Sequence, residues 1–348
     1  MSGHGLAQRL PRLWGRKRVA PILWLAMPLS WLFGGIVAIR RALFRWRVIP
    51  SFRLPVPVIV VGNLTVGGSG KTPLVLWLVA KLRGMGWRPG IISRGYGGSA
   101  GDEILCVTED SSARLVGDEP LLLSRRSRVP VFIGRDRVAA GQALLAKHPD
   151  CSIVISDDGL QHYRLERSVE IAVFDGRGAG NGCLLPAGPL REPLSRLKRV
   201  TALVWNGEGE GLGGDYVGMP QFSMRLEAER FVSLGDESRT CSAEQLRGKV
   251  LHAIAGIGDP SRFFAQLSAM GLQFSSHPFP DHHAYVEQDF SFARDGVLLM
   301  TEKDAVKCQG LALPEAWVLP VEAQIDESPL GGSLLETILE RLNGRTLA

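Results

Sequence analysis

The sequence predicts an α/β protein with a P-loop NTPase-like parallel-sheet domain, an N-terminal membrane-associated helix and a second, smaller α/β domain. Three observations predict it. An apolar run, a glycine-rich turn and a helix start follow one another between residues 58 and 83. Short apolar runs then alternate with amphipathic stretches from residue 85 onward, as in parallel α/β folds. A 21-residue uncharged run, Val19 to Ile39, lies between two clusters of arginine and lysine.

The apolar residues Val58 to Val61 read as a buried strand. Gly67, Gly68 and Gly70 form the turn, and Lys71-Thr72 open a helix expected over Thr72 to Arg83. Glycines let backbone N–H groups converge on an anion, and the helix N-terminus adds favourable partial charge. Lys71 can reach terminal phosphates, and the Thr72 hydroxyl can ligate Mg²⁺. Thr65, Gly67, Gly68, Ser69, Gly70, Lys71 and Thr72 are therefore the candidate nucleotide-binding residues. The first glycine of the general G-x-x-x-x-G-K-[ST] pattern is Thr65 here.

The chain of 348 residues, 45% of them apolar, has room for about two domains with sizeable cores. Cys106, Cys151, Cys183, Cys241 and Cys308 form no C-x-x-C pair, which argues against a zinc site or a disulfide frame. The net charge of +5 conceals an asymmetry: Met1 to Gly101 holds 15 basic residues and no acid, whereas the remainder holds 25 basic and 35 acidic residues. Such a basic third needs an anionic partner, whether acidic lipid, nucleic acid or a phosphorylated substrate.

The run Val19 to Ile39 favours lipid. Arg9, Arg12, Arg16, Lys17 and Arg18 precede it, and Arg40, Arg41, Arg45, Arg47 and Arg53 follow. Its length could span a bilayer, but positive charge on both flanks gives no inside–outside bias. Pro21, Pro28 and Gly34-Gly35 weaken a single straight helix. A helix or helical hairpin in the surface of the cytoplasmic leaflet is the preferred reading over a true span or a buried core helix. Each flanking basic residue contributes ~1 kcal/mol near anionic lipid.

Further strands are expected at Gly90 to Ser93, Val129 to Ile133, Cys151 to Ser156, Val169 to Phe174 and Val200 to Trp205, with helices over Glu119 to Arg126 and Arg135 to Lys147. Ligands of open parallel sheets bind beyond the carboxyl ends of the strands, so the loops there are expected to share one crevice with the cradle. Asn206 to Asp215, with five glycines and three acids, reads as a linker. The organisation expected is a membrane-associated segment over 1–53, a nucleotide domain over 54–215 and a second domain over 216–348. The second domain is expected to include strands at Gln221 to Leu226, Val250 to Ala255, Gly296 to Met300 and Trp317 to Val321. Gly256-Ile257-Gly258 begins a dinucleotide-like pattern, but Ser261 replaces its last glycine, so a tight strand-to-helix turn suffices.

Four groups of residues are candidates for chemistry. Asp157 and Asp158 end an apolar strand, where an acid of a P-loop protein holds Mg²⁺. Adjacent acids on a strand diverge unless the chain turns, as Gly159 would permit. Asp118, in Gly117-Asp118-Glu119-Pro120, fits a helix N-cap or a general base. Arg191, between Pro189 and Pro193, suits a bidentate clamp on a phosphoryl group. His282 and His283 make a poor metal pair, and a histidine that orients a carboxylate across an interdomain cleft is the better reading. Thr301-Glu-Lys303-Asp304 has the wrong spacing for guanine recognition.

Seven blocks in this order resemble the tetraacyldisaccharide 4′-kinases, the lipid A 4′-kinase family of Gram-negative bacteria: Val61-Gly-Asn-Leu-Thr-Val-Gly-Gly-Ser-Gly-Lys-Thr-Pro73, Ser93-Arg-Gly-Tyr-Gly97, Gly117-Asp-Glu-Pro120, Asp157-Asp-Gly-Leu-Gln-His162, Pro186-Ala-Gly-Pro-Leu-Arg-Glu-Pro193, Phe279-Pro-Asp-His282 and Thr301-Glu-Lys-Asp-Ala305. The family carries Thr at the position of Thr65 and often Phe at that of Leu160. The resemblance implies an N-terminal membrane-associated helix and two α/β/α domains joined by a two-stranded linker. It implies transfer of the ATP γ-phosphate to the 4′-hydroxyl of tetraacyldisaccharide 1-phosphate, giving lipid IVA in lipid A biosynthesis. It makes Asp118 the base, paired with His282, and places Mg²⁺ near Thr72, Asp157 and Asp158. Lys71 and Arg191 act at the transferring phosphate, and Glu192 is a further candidate for the metal shell. The expected partners are the lipid A precursor and the inner-membrane surface, with neither nucleic acid nor an obligatory protein partner. The expected location is the cytoplasmic face of the inner membrane, peripheral or monotopic. A membrane-attached regulatory NTPase is the competing reading, and predicts hydrolysis indifferent to lipid A precursors. A non-catalytic lipid- or nucleic-acid-binding protein leaves Lys71-Thr72 without a task.

Overall fold

A computed structural model describes Leu10 and residues 12–207, 218–327 and 331–344. In chain order the strands are β1 (Val58–Gly62), β2 (Pro89–Ser93), β3 (Leu105–Val107), β4 (Val131–Ile133), β5 (Ile153–Asp157), β6 (Val169–Asp175), β7 (Ala202–Asn206), β8 (Gln221–Glu227), β9 (Phe231–Ser233), β10 (Thr240–Cys241), β11 (Leu251–Ala255), β12 (Ser275–Pro278), β13 (Val297–Thr301), β14 (Ala316–Leu319) and β15 (Glu322–Ile325).

The first sheet runs β15-β8-β7-β6-β1-β5-β2-β4-β3. Its seven inner strands, β8 through β4, pair in parallel, and β15 and β3 close the two edges antiparallel. The β1 residues Val58 to Val61 are buried on both faces, which is why they read as a continuous apolar run. Ile59 and Val61 pack under the helices Lys71–Gly84, Asp118–Ser127 and Leu334–Leu342. Val58 and Val60 face the other way, toward Val138 and Leu144 of the helix Arg137–Lys147 and toward Leu160, Leu165 and Leu190. The result is a three-layer domain whose chain switches direction at β1, with β5 on one side and β6 on the other. That switch point opens the crevice at the carboxyl ends of the strands.

The second sheet runs β10-β9-β14-β13-β11-β12, with a parallel core of β14, β13, β11 and β12. Phe263 and Leu267, on the helix Pro260–Ala269, cover one face, and Tyr285 and Phe290 cover the other.

The sheet pairing corrects the expected domain division. The strand expected at Gln221 to Leu226 was to belong to the second unit, but as β8 it extends the first sheet beside β7. Phe222 and Met224 are buried in the first core, together with Ala323 of β15 and Leu334 and Ile338 of the last helix. The second sheet is therefore an insertion between β8 and β15, which run antiparallel and form a two-stranded connection. Most of the expected linker, residues 208–215, lies outside the described residues.

The N-terminal apolar run forms a 3₁₀ turn, Pro21–Ala26, continued by the helix Met27–Arg45. It is one continuous element, not a hairpin. Pro28 falls at the second helical position, where its missing N–H has no intrahelical partner to lose. Gly34 does not break the helix either; it lets the helix sit against Leu184, whose Cδ1 would lie 2.9 Å from an added Cβ. Trp24, Leu25, Trp31 and Leu32 project outward, 63–85% exposed.

Candidate active site

The turn after β1 takes the shape its glycines allow. Gly67 and Gly70 have φ of 97° and 89°, and a Cβ on Gly70 would meet Asn206 Nδ2 at 2.2 Å. Only glycine fits there. Asn206 Nδ2 donates to the Ser69 carbonyl at 3.2 Å, and Arg177 Nη2 donates to that of Gly68 at 2.8 Å. Asn63 Nδ2 donates to the Gly67 carbonyl at 3.1 Å, while its Oδ1 accepts from Lys71 Nζ at 3.3 Å. Thr65, buried, forms an isolated bridge with Leu190, so the cradle is braced from the 183–191 loop. Ser69 Oγ is buried without a partner. The structure thus brings Thr65, Gly67, Gly68, Ser69, Gly70 and Lys71 into one turn, with Thr72 in the first turn of the helix Lys71–Gly84.

The acid pair ends β5 beside β1. Asp158 turns the chain with φ 48°, which separates the two side chains by environment. Asp157 is 1% exposed; Ser93 Oγ donates to its Oδ2 at 3.3 Å, while Oδ1 has no partner. Burial, with the Glu119 charge nearby, pushes the Asp157 carboxyl up to about 7. Asp158 instead accepts from both terminal nitrogens of Arg191, at 3.2 and 3.0 Å, with Lys71 Nζ at 3.7 Å. Burial works to raise the Asp158 carboxyl, but Lys71 and Arg191 outweigh it and hold it well below the usual carboxylate range. Arg191 also donates to the Asn63 carbonyl at 2.8 Å. Glu192 points the other way: it is buried against Tyr163, Gln161 and Arg196.

Asp118 reaches across the cleft. It is the first residue of its helix, and Gly117, not Asp118, occupies the N-cap position. Its carboxylate is 4% exposed and lies 3.0–3.1 Å from His282 Nδ1, on the second unit. Burial works to raise the Asp118 carboxyl, but the His282 hydrogen bond and the Lys303 charge prevail and lower it. The same hydrogen bond raises the His282 imidazole above 6.5 despite burial. Tyr96 sets its ring edge against His282 at 5.3 Å between centroids. His283 is engaged elsewhere, with Nε2 2.9 Å from Asp289 Oδ2, and among the described residues no three His, Cys, Asp or Glu side chains are grouped to hold a metal.

Two features went unassigned in the sequence. Lys303 Nζ lies 3.1 Å from Glu119, 3.3 Å from Asp281 and 3.7 Å from Asp118, so it ties three acids from both sides of the cleft. Its only sequence signal was the Thr301-Glu-Lys-Asp block. Gly258, in the turn after β11, comes so close to the cradle that an added Cβ would lie 3.6 Å from the Gly68 nitrogen. Gly256 of the same turn donates its N–H to Asp304 at 3.0 Å, the tight-turn role expected of that segment.

A family model described as tetraacyldisaccharide-1-P 4′-kinase matches residues 22–340. The tetraacyldisaccharide 4′-kinase of Dechloromonas aromatica is 53% identical over 345 residues, covering 99% of this chain and all of that one. That of Azoarcus sp. strain BH72 is 52% identical over 341 residues, covering 98% and 97%. Among solved structures, LpxK from Aquifex aeolicus in complex with ATP superposes with a TM-score of 0.79 at 31% identity, over 92% of this chain and 99% of that one. Matched from its apolar helix to its last helix by that family model, and along nearly its whole length by curated relatives, the chain belongs to the tetraacyldisaccharide-1-P 4′-kinase family.

Proposed function

We propose that the protein transfers the γ-phosphate of ATP to the 4′-hydroxyl of tetraacyldisaccharide 1-phosphate, yielding lipid IVA and ADP in lipid A biosynthesis. The observation that carries this reading is the Asp118–His282 pair, which bridges the two units; Asp281, next to His282, and Gly68 of the cradle both approach Gly258. A sugar hydroxyl is a poor nucleophile at neutral pH and needs a positioned base and neutralised phosphate charge. Asp118 takes the hydroxyl proton as the new O–P bond forms. His282 orients its carboxylate and supports the charge. Lys71 and Arg191 face the phosphates once released from Asp158 and Asn63. The cradle amides of Gly67, Gly68, Ser69 and Gly70 hold the nucleotide, and the buried, partnerless Ser69 Oγ is a ready polar contact for it.

The residues suit Mg²⁺. Asp157 Oδ1 is a buried acceptor with no partner, and hard oxygen donors are what this ion takes, completed by water and substrate phosphates. Asp157, Asp158 and the Thr72 hydroxyl would hold it. Bound there, the ion supplies positive charge at the phosphates. Glu192 is not included, because its carboxylate is already enclosed by Tyr163, Gln161 and Arg196.

The apolar helix and its basic flanks support work at the cytoplasmic face of the inner membrane, with the helix lying in the surface. Transfer of labelled phosphate from ATP to purified disaccharide 1-phosphate, in detergent with Mg²⁺, tests the reading. Hydrolysis without that product would point to a nucleotide switch instead.

A further inference from the structure

The helix Met27–Arg45 is mostly exposed and apolar, yet its one fully buried residue is polar. Ser30 Oγ donates to the Leu184 carbonyl at 2.9 Å, with its own-helix Ala26 carbonyl at 3.3 Å, and accepts the Ala187 N–H at 2.9 Å. Ala187 is wholly buried, so that N–H depends on a protein partner. A serine gripping two points of one loop is a specific clamp; helix propensity alone would favour an apolar residue there.

The gripped loop leads to the cradle. Leu185 N donates to the Leu190 carbonyl and Leu190 N to that of Cys183, so the loop folds back on itself. Its far side then holds the phosphate turn: Val66 N donates to the Pro189 carbonyl at 2.9 Å, and Arg191 N to that of Leu64 at 2.6 Å. A second connection starts from the same helix. Arg40 Nη2 donates to the Gln161 carbonyl, and Gln161 Nε2 donates to that of Asn63, whose side chain holds Lys71. Two separate paths therefore join the exposed apolar helix to the N-terminal limb of one turn, at Asn63 and at Leu64 and Val66.

We propose that Ser30 is a positioning residue: through it, seating of the N-terminal helix on a membrane fixes the 183–191 loop and with it the phosphate cradle and Arg191. The nucleotide site is thereby best ordered when the protein is at the surface where its acceptor resides. This rests on the membrane-surface reading above, but not on the identity of the acceptor.

The test is amide hydrogen exchange of the full chain, without nucleotide, with and without vesicles of mixed anionic and zwitterionic phospholipid. In the wild-type protein, exchange over 64–67 and 184–191 should slow about fivefold or more when vesicles bind. Ser30→Ala should bind the same vesicles equally, since its exposed face is unchanged, but show no such slowing. Its affinity for ATP on vesicles should be about tenfold weaker than wild type, as expected for a lost buried hydrogen-bond pair. Ser30→Thr, which keeps the hydroxyl, should restore the protection. Wild-type protein that binds vesicles without protecting these two segments overturns the proposal, as does equal protection in Ser30→Ala. Should Ser30→Ala not fold, the wild-type comparison decides alone. No transfer reaction enters these measurements, so absent phosphorylation of the disaccharide would sink only the kinase reading, whereas failure to bind vesicles would sink the membrane reading and this proposal together.

Discussion

His282 Nδ1, carried by the inserted unit, lies 3.0 Å from Oδ2 of Asp118, the first residue of a helix packed on the first sheet. The acid is nearly buried and the imidazole partly exposed, so the pair forms only when the two units approach. Asp118→Asn should lower kcat about 10²- to 10⁴-fold, the range of a lost general base, with little change in the KM for ATP. Steady-state kinetics beside a thermal melt checks this. A near-normal rate would reduce Asp118 to an interdomain contact.

The same pair makes closure depend on pH, and the sign follows from both shifts. The lowered Asp118 value contributes stability above the unfolded carboxylate range, which is lost as pH falls through the folded value. The raised His282 value contributes below 6.5, and is lost as pH rises through the folded value above it. Closure should therefore be tightest in weakly acidic solution and loosen on the alkaline side of 6.5. A fluorescent donor–acceptor pair, one dye on each unit, should report that opening, and His282→Gln should flatten the alkaline limb.

Asp157 gives a separate titration. Its buried carboxyl is pushed up to about 7, so a proton competes with a divalent cation for the free Oδ1. Affinity for Mg²⁺ should climb about tenfold per pH unit below that value and level off above it, the behaviour of one displaced proton. Calorimetric titration across pH 5.5–8.5, a range bracketing about 7, measures it. Asp157→Asn should weaken binding and remove the slope. A slope that survives in Asp157→Asn would assign the proton to another group.

Much of this site was legible because its parts are local. The glycine turn, the acids at a strand end and the apolar run of β1 each lie within a few consecutive residues, where period and turn chemistry speak directly. The sheet to which β8 belongs was not legible, since a strand's alternation names a buried face but not the neighbours that pair with it. Lys303 was missed for a related reason. It joins Glu119, which lies 184 residues away in the chain, and only folding makes them neighbours.

Lys303→Met tests that cluster. Replacing the ammonium leaves Glu119, Asp281 and Asp118 facing one another without their shared cation. The Lys303 side chain is 17% exposed, so the loss should cost about 1–3 kcal/mol, below that of a fully buried pair. It should appear as a lower melting temperature and a weaker acid limb of closure, because part of what holds the Asp118 carboxyl down is gone. The alkaline limb should move to higher pH, because Lys303 also holds the His282 imidazole down. Unchanged stability would mean that the three acids find other partners or protonate.

The apolar face of the N-terminal helix can be tested without deleting it. Removing residues 1–53 would also take away Ser30 and Arg40, which hold the 183–191 loop and Gln161, and so confound membrane release with a disturbed cradle. Trp24 and Trp31 are better targets: they are 65% and 69% exposed. Fully burying a large apolar side chain is worth roughly 1.5–3 kcal/mol, and about 1.4 kcal/mol is tenfold in affinity. Trp24→Glu with Trp31→Glu should thus cut vesicle binding by about 100-fold or more, with repulsion from anionic lipid adding to the loss. Turnover of a short-chain, water-soluble acceptor should stay within about twofold, since neither tryptophan touches the cradle. Cosedimentation with vesicles and the soluble-acceptor assay together separate the roles. Unchanged cosedimentation would show that this face is not what meets the membrane.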